Sequence, residues 1–308
     1  MPRRIRALAL AALRCSVSLS LVACEPDAPP RDGAGAPAEV RTFEDALWDD
    51  GQGEIARYRV LERRYGALRE AEATLIVVKE TLDADALVKA DGPTPPARPI
   101  EVMKLNHVLT VPTGVYTYRQ MASVFLTRER ALALKLVVSS QEWCGITHKR
   151  LVVRDGGAAL HTSSYFGAEG ERAYAFSMEG PTVLYDALPM WARTLDLSRE
   201  GSRSIRLVPQ QLSNRAPPPA IEAATLAVGA PERVEVPAGA LEVVPVRLTH
   251  GAGTDVLYLQ RAAPHPLVRW DRADGGRYEL EWIRRARYWE LHDPEHVGAL
   301  DPSTEDQP

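Results

Sequence analysis

The sequence predicts a mainly β protein, one extended antiparallel sheet with a single short helix near residues 183–195. Three observations predict it. Short runs rich in β-branched and aromatic residues recur at 73–80, 100–111, 115–125, 133–142, 146–154, 158–166 and 173–178. They resume at 222–228, 233–236, 241–249, 255–260, 267–271 and 278–283, with turn signals between them. With 45% apolar and 25% charged side chains, the 308-residue chain has ample core material.

The chain opens MPRRIRALALAALRCSVSLSLVAC. Arg3, Arg4 and Arg6 form a basic start, followed by an apolar stretch that Arg14 interrupts and then by small residues, the layout of an export signal at 1–23. Leu21-Val22-Ala23-Cys24 resembles a bacterial lipobox, which implies cleavage before Cys24 and lipid on its sulfur. Several acyl chains, at ~0.8 kcal/mol per buried CH₂, anchor a protein stably without spanning the bilayer. No later run approaches the ~20 apolar residues of a membrane helix. Residues 24–41 are rich in Pro, Ala and Gly and read as anchor plus flexible tether. Glu25 is not the aspartate that retains lipoproteins at the inner membrane in some bacteria, which favours the outer membrane. Past residue 23 the chain holds 33 Lys+Arg and 41 Asp+Glu, a surplus that argues against nucleic acid or anionic lipid as the main partner.

Cys15 leaves with the signal and Cys24 takes the lipid, so Cys144 stands alone and no intramolecular disulfide is available. The fold must stand on its core. The β body is assigned to 42–292 and a polar tail to 293–308, with Pro217-Pro218-Pro219 marking a connection or a lobe division near 213–221. Asp155-Gly156-Gly157 signals a hairpin whose register around 145–166 stays open, with His161 opposite Leu151 or Val152. A three-residue Asp274-Gly275-Gly276 loop sets Trp270 opposite Leu280 and Val268 opposite Trp282. At 183–195, Leu184, Leu188, Trp191 and Leu195 recur at helical spacing, with Pro189 expected to kink or split the helix.

The segments RYGALREAEATLIVVKE (64–80), KLNHVLTVPTGVYTYRQMASVF (104–125), SSQEWCG (139–145), SSYFGAEGE (163–171) and VPAGALEV (236–243) resemble a family of uncharacterised bacterial envelope lipoproteins. Ala71 stands where the family's first motif has glycine. Some members carry a septum formation inhibitor or Maf-like label, but the phosphate-handling motif of Maf nucleotide pyrophosphatases is absent here. The late stretch is also similar to the DUF3108 family. That similarity implies an antiparallel sheet curved into an incomplete barrel, like the lipoprotein carriers, and with it a cavity for a hydrophobic or amphipathic ligand.

Candidate ligand-binding residues are Tyr116, Tyr118, Glu142, Trp143, Cys144 and Tyr165. Tyr116 and Tyr118 fall on one side of a strand, as a cavity wall or as core. Cys144 invites a thiolate mechanism with His148 or His161, but His148 lies about 13 Å along the strand at ~3.3 Å per residue. The same distances reject a zinc site on these three, and Cys144 reads as a buried structural cysteine. Glu142 has no carboxylate partner identifiable in the sequence. His292-Asp293-Pro294-Glu295-His296 reads as a solvated tail, and Arg284-Arg285-Ala286-Arg287 as a salt-bridged face. Nucleophile-elbow, phosphate-loop, dinucleotide and zinc-protease motifs are missing, so neither catalytic residues, nor metal, nor cofactor are assigned.

Three functional expectations follow. The first is a lipid-anchored envelope protein that shelters a lipid or other hydrophobic small molecule in a curved β cavity. The second is a structural or protein-binding envelope lipoprotein, favoured by a filled barrel with an exposed apolar patch. The third, ranked below these, is a hydrolase using Glu142 and Cys144.

Overall fold

The computed structural model describes Phe43 and residues 46–301. The signal sequence, Cys24, the tether and residues 302–308 lie outside the described residues.

Eight strands run as an antiparallel meander: β1 (Gly53–Arg64), β2 (Ala67–Asp83), β3 (Pro99–Thr113), β4 (Tyr116–Thr127), β5 (Ala133–Glu142), β6 (Gly145–Arg154), β7 (Gly157–Ser164) and β8 (Glu171–Ser177). After β9 (Thr182–Leu184) comes α1 (Leu188–Trp191), flanked by 3-10 turns at Tyr185–Ala187 and Ala192–Thr194. The second half is β10 (Gly201–Val208), β11 (Glu222–Val228), β12 (Glu232–Val236), β13 (Gly239–His250), β14 (Gly253–Gln260), β15 (Leu267–Asp271) and β16 (Arg277–Ala286). All sixteen strands belong to one sheet, in the order β8-β7-β6-β5-β4-β3-β2-β1-β16-β15-β14-β13-β11-β10-β9, with β12 on β13.

Connectivity forces this sheet to curl. Laid flat, strands at ~4.8 Å spacing would hold the β8 and β9 edges more than about 60 Å apart. Only residues 178–181 join those edges, and such a link spans at most ~17 Å. The edges therefore approach one another without pairing, which makes an incomplete barrel.

Period-two alternation sends one side chain set inward. In β1, Tyr58, Val60 and Glu62 are buried while Arg59 and Arg63 are exposed, so a strand that reads as charged in the sequence sits at the centre of the sheet. The lumen they face holds the chain's own residues. Leu188, Pro189, Met190 and Trp191 are all buried, and α1 joins the strands in a single hydrophobic core. A helix buried all round must be enclosed. Pro189 begins this single turn rather than kinking a longer helix, since the first turn needs no proline N–H. Arg193, just beyond α1, places Nη1 2.8 Å from Glu54 Oε1 in a buried ion pair.

Residues 209–216 cross one end of the barrel as a strap. Arg272 donates to Gln210 Oε1 (2.9 Å), Lys149 Nζ to the Gln211 carbonyl (2.6 Å) and Thr147 to the Asn214 carbonyl (2.7 Å). Asp186 accepts the Gln211 and Leu212 N–H groups at 2.7 and 2.9 Å.

Two hairpin registers differ from the sequence expectation. The β6–β7 turn is two residues, Asp155 and Gly156, both at positive φ, so Gly157 joins the strand and His161 faces Arg150. The β15–β16 loop takes five residues, so Trp270 faces Tyr278 rather than Leu280. The shift is two positions, and the buried face is kept. A bulge between Arg57 and Tyr58 adds an extra residue on β16, which leaves Trp282 only half-buried in a groove with Ile55, Ile76, Tyr288 and Leu291.

Candidate functional site

A meander returns every second turn to the same end of the sheet. The β1–β2, β3–β4, β5–β6 and β7–β8 turns therefore form a row at the strapped end of the barrel. Each carries exposed apolar side chains: Tyr65 (66% exposed), Val115 (79%), Trp143 (76%) with Ile146 (60%), and Tyr165 (68%). We call this row the rim.

The rim rings touch in sequence. The Tyr65 hydroxyl lies 2.7 Å from that of Tyr116 and 2.6 Å from that of Tyr118. The Tyr116 ring lies 6.2 Å from Trp143, tilted by 31°. The Arg64 guanidinium covers the buried Tyr118 ring at 4.3 Å. Tyr165 lies across Gly145 so closely that a Cβ there would collide with its ring, and it meets Phe166 at 5.8 Å. Arg215 covers Phe166 and pairs with Glu169 at 2.6 Å, which ties the row to the strap.

Every candidate ligand-binding residue from the sequence thus falls at this end, but not in one role. Trp143 and Tyr165 are exposed platforms, Tyr116 is half-buried, and Tyr118 is core beneath them. Glu142 is buried and accepts the Cys144 N–H at 2.5 Å, closing the β5–β6 turn. Cys144 is exposed rather than buried, because it occupies the turn and not a strand. The Glu142 carboxylate, through its hydrogen bond and its charge, pushes the Cys144 thiol up and makes thiolate scarcer. His148 sits on the outer face opposite Ser139, and His161 opposite Arg150, so neither accompanies the thiol.

Tyr65 is the exposed rim ring that the sequence reading misses, along with the aliphatic Val115 and Ile146. Its signal is its position: it occupies the β1–β2 turn at φ 53°, where Asn or Gly is the usual occupant, and Gly66 follows at φ 77°.

On the other half of the same end, Tyr185, Glu222, His250, Asp255 and Arg272 line a cavity of about 300 Å³. The His250 ring nitrogens lie 3.5 Å from Glu222 Oε1 and 3.5 Å from Asp255 Oδ1. Tyr185 donates to Asp255 Oδ2 at 2.5 Å, and burial pushes its hydroxyl well above the usual tyrosine range. Arg272 pairs with Glu62 at 2.9 Å. Both histidine nitrogens and both Asp255 oxygens are engaged within the protein. The arrangement ties the luminal segment to β13 and β14. These residues are scattered from 185 to 272, which hides the cluster from a linear reading.

Among the described residues no three His, Cys, Asp or Glu side chains are grouped to hold a metal ion, and no helix is long and apolar enough to cross a membrane. No family model, curated protein or solved structure matches the chain.

Proposed function

We propose that the protein is a lipid-anchored bacterial envelope protein, held by lipid on Cys24 at the outer membrane, whose binding surface is the aromatic rim. One observation carries this reading: exposed apolar side chains, three of them aromatic rings, are gathered on four adjacent turns while the lumen of the same barrel is filled by Leu188, Met190, Trp191 and their neighbours. Of the functional expectations, that combination supports an interaction protein over a carrier with a luminal cavity, and over a hydrolase using Glu142 and Cys144. An exposed apolar patch on a folded body marks an interaction site.

The anchor geometry supports a rim that faces away from the bilayer. Phe43 is fixed at the opposite end of the barrel, where Arg128 of the β4–β5 turn donates to its carbonyl at 3.0 Å. The twelve residues of β4 separate that turn from the rim by about 40 Å along the strand. Eighteen residues separate Cys24 from Phe43, so the proposed anchor joins the barrel at the end opposite the rim.

The test uses the full-length lipidated protein carrying a photoreactive residue at Ile146, with a control at Val88, which is exposed near the opposite end. Crosslinking from 146 and not from 88, in intact envelopes, is the expected result. Equal yields at both positions, or none at 146, overturn the rim reading.

A further inference from the structure

Resting on that reading, we propose that the rim ligand is a linear N-acetylated glycan, with Tyr65, Trp143 and Tyr165 as its stacking faces.

The rings are held in place by contacts within the protein. Tyr65 is fixed by its left-handed turn position and by hydrogen bonds to two phenols. Trp143 leans on Tyr116, and Tyr165 lies in the seat left by the missing side chain of Gly145. Rigid rings cost little entropy to engage, which suits a weakly hydrophobic ligand.

The chemistry around them selects among ligands. The electron-rich face of Tyr or Trp attracts the positively polarised C–H bonds on one side of a pyranose ring, by the same quadrupole that attracts cations. Sugar hydroxyls need hydrogen-bonding groups at the platform edge, and the Tyr65 and Tyr116 phenols provide them there. Val115 and Ile146, exposed beside these rings, offer small apolar contacts of the size of an acetyl methyl. Six strand steps of ~4.8 Å separate the first tip from the last, about 29 Å along the sheet, which calls for a strand of several sugars rather than a single one. An acidic body whose rim faces away from its anchor suits a neutral glycan better than an anionic bilayer.

The experiment sediments the full-length protein in detergent with purified cell-wall sacculi and titrates it with a hexamer of β-1,4-linked N-acetylglucosamine. Trp143→Ala and Tyr165→Ala should each weaken hexamer binding by about tenfold or more, while Trp143→Phe, which keeps a ring, retains most of it. Both changes are exposed, and unchanged melting confirms the fold. Absence of binding by the unaltered protein to both probes, or binding indifferent to the Trp143→Ala/Tyr165→Ala double change, overturns the proposal. So does Trp143-dependent sedimentation with phosphatidylcholine/phosphatidylglycerol vesicles in place of sacculi. A sugar-free crosslink from position 146 overturns the glycan but keeps the rim; no crosslink overturns both.

Discussion

The chain assembles two rows of aromatic rings with nearly the same spacing, one buried throughout and one that runs from buried Tyr118 out to exposed Tyr65 and Trp143. In the barrel wall and lumen, Tyr185, Trp270, Tyr278 and Tyr58 follow one another at 5.4, 5.5 and 6.3 Å between centroids. At the rim, Tyr65, Tyr118, Tyr116 and Trp143 follow at 6.5, 5.8 and 6.2 Å. Interior rings are buried and their hydroxyls are satisfied, Tyr58 by the Leu267 carbonyl and Tyr278 by His107, whose imidazole burial pulls down to about 3. Folding accounts for the first group. It does not account for Tyr65 and Trp143, which stand 66% and 76% exposed.

The largest expected effect separates the two groups by stability. Trp270→Ala removes a fully packed ring and should cost about 3–5 kcal/mol. Trp143→Ala removes the same side chain from the surface and should stay within about 0.5 kcal/mol. Denaturant melts of the two variants measure both. A cost at Trp143 comparable to that at Trp270 would mean that the rim is a structural element.

A second contrast concerns charge. Burial under the strap pulls the Lys149 ammonium down to about 8, whereas the hydrogen bond to Asp49 raises Lys79 at the opposite end. For Lys149 the unfolded chain, near 10.5, binds the proton more tightly than the folded one. Its contribution therefore makes stability rise with pH across about 8 to 10.5, by up to roughly 3 kcal/mol. Lys79 acts in the other direction, its stabilisation present below its unfolded value and lost above its folded one. The stability difference between the parent and Lys149→Met, followed from pH 7 to 10.5, isolates the first effect. The parent's stability minus the variant's should rise as pH rises, and a flat difference would mean that Lys149 is solvated.

Which parts of this were legible in the sequence follows from what each signal encodes. Alternation and turns mark thirteen of the strands, because hydrophobic period two is a local property. The same rule passes over β1 and β10, whose arginines dilute the pattern, and over the three residues of β9, which fall at the start of the helix expected at 183–195. Parity survives where register does not: Trp270 is buried whether it faces Leu280 or Tyr278, since a slip of two preserves the face and only loop length fixes the partner. Tyr116, Trp143 and Tyr165 are visible as aromatics near turns, but their adjacency depends on strand order, which no local window contains. The filled lumen is the least legible feature. Residues 183–195 read as a short helix, and no local pattern places them inside the sheet that surrounds them.

The smallest expected effect is the most diagnostic, because it has the opposite sign. A tyrosine at φ 53° carries a left-handed strain of about 1 kcal/mol that asparagine tolerates far better. Tyr65→Asn should relieve part of it, which offsets the loss of two hydroxyl contacts, an exposed one with half-buried Tyr116 and a part-buried one with Tyr118. The expected net result is unchanged or slightly higher stability, by up to about 0.5 kcal/mol, together with weaker binding at the rim. A residue kept for folding would behave in the reverse way, losing stability on replacement. Melting and hexamer titration of the same variant therefore decide whether the chain holds this ring in place for its own sake or for a ligand.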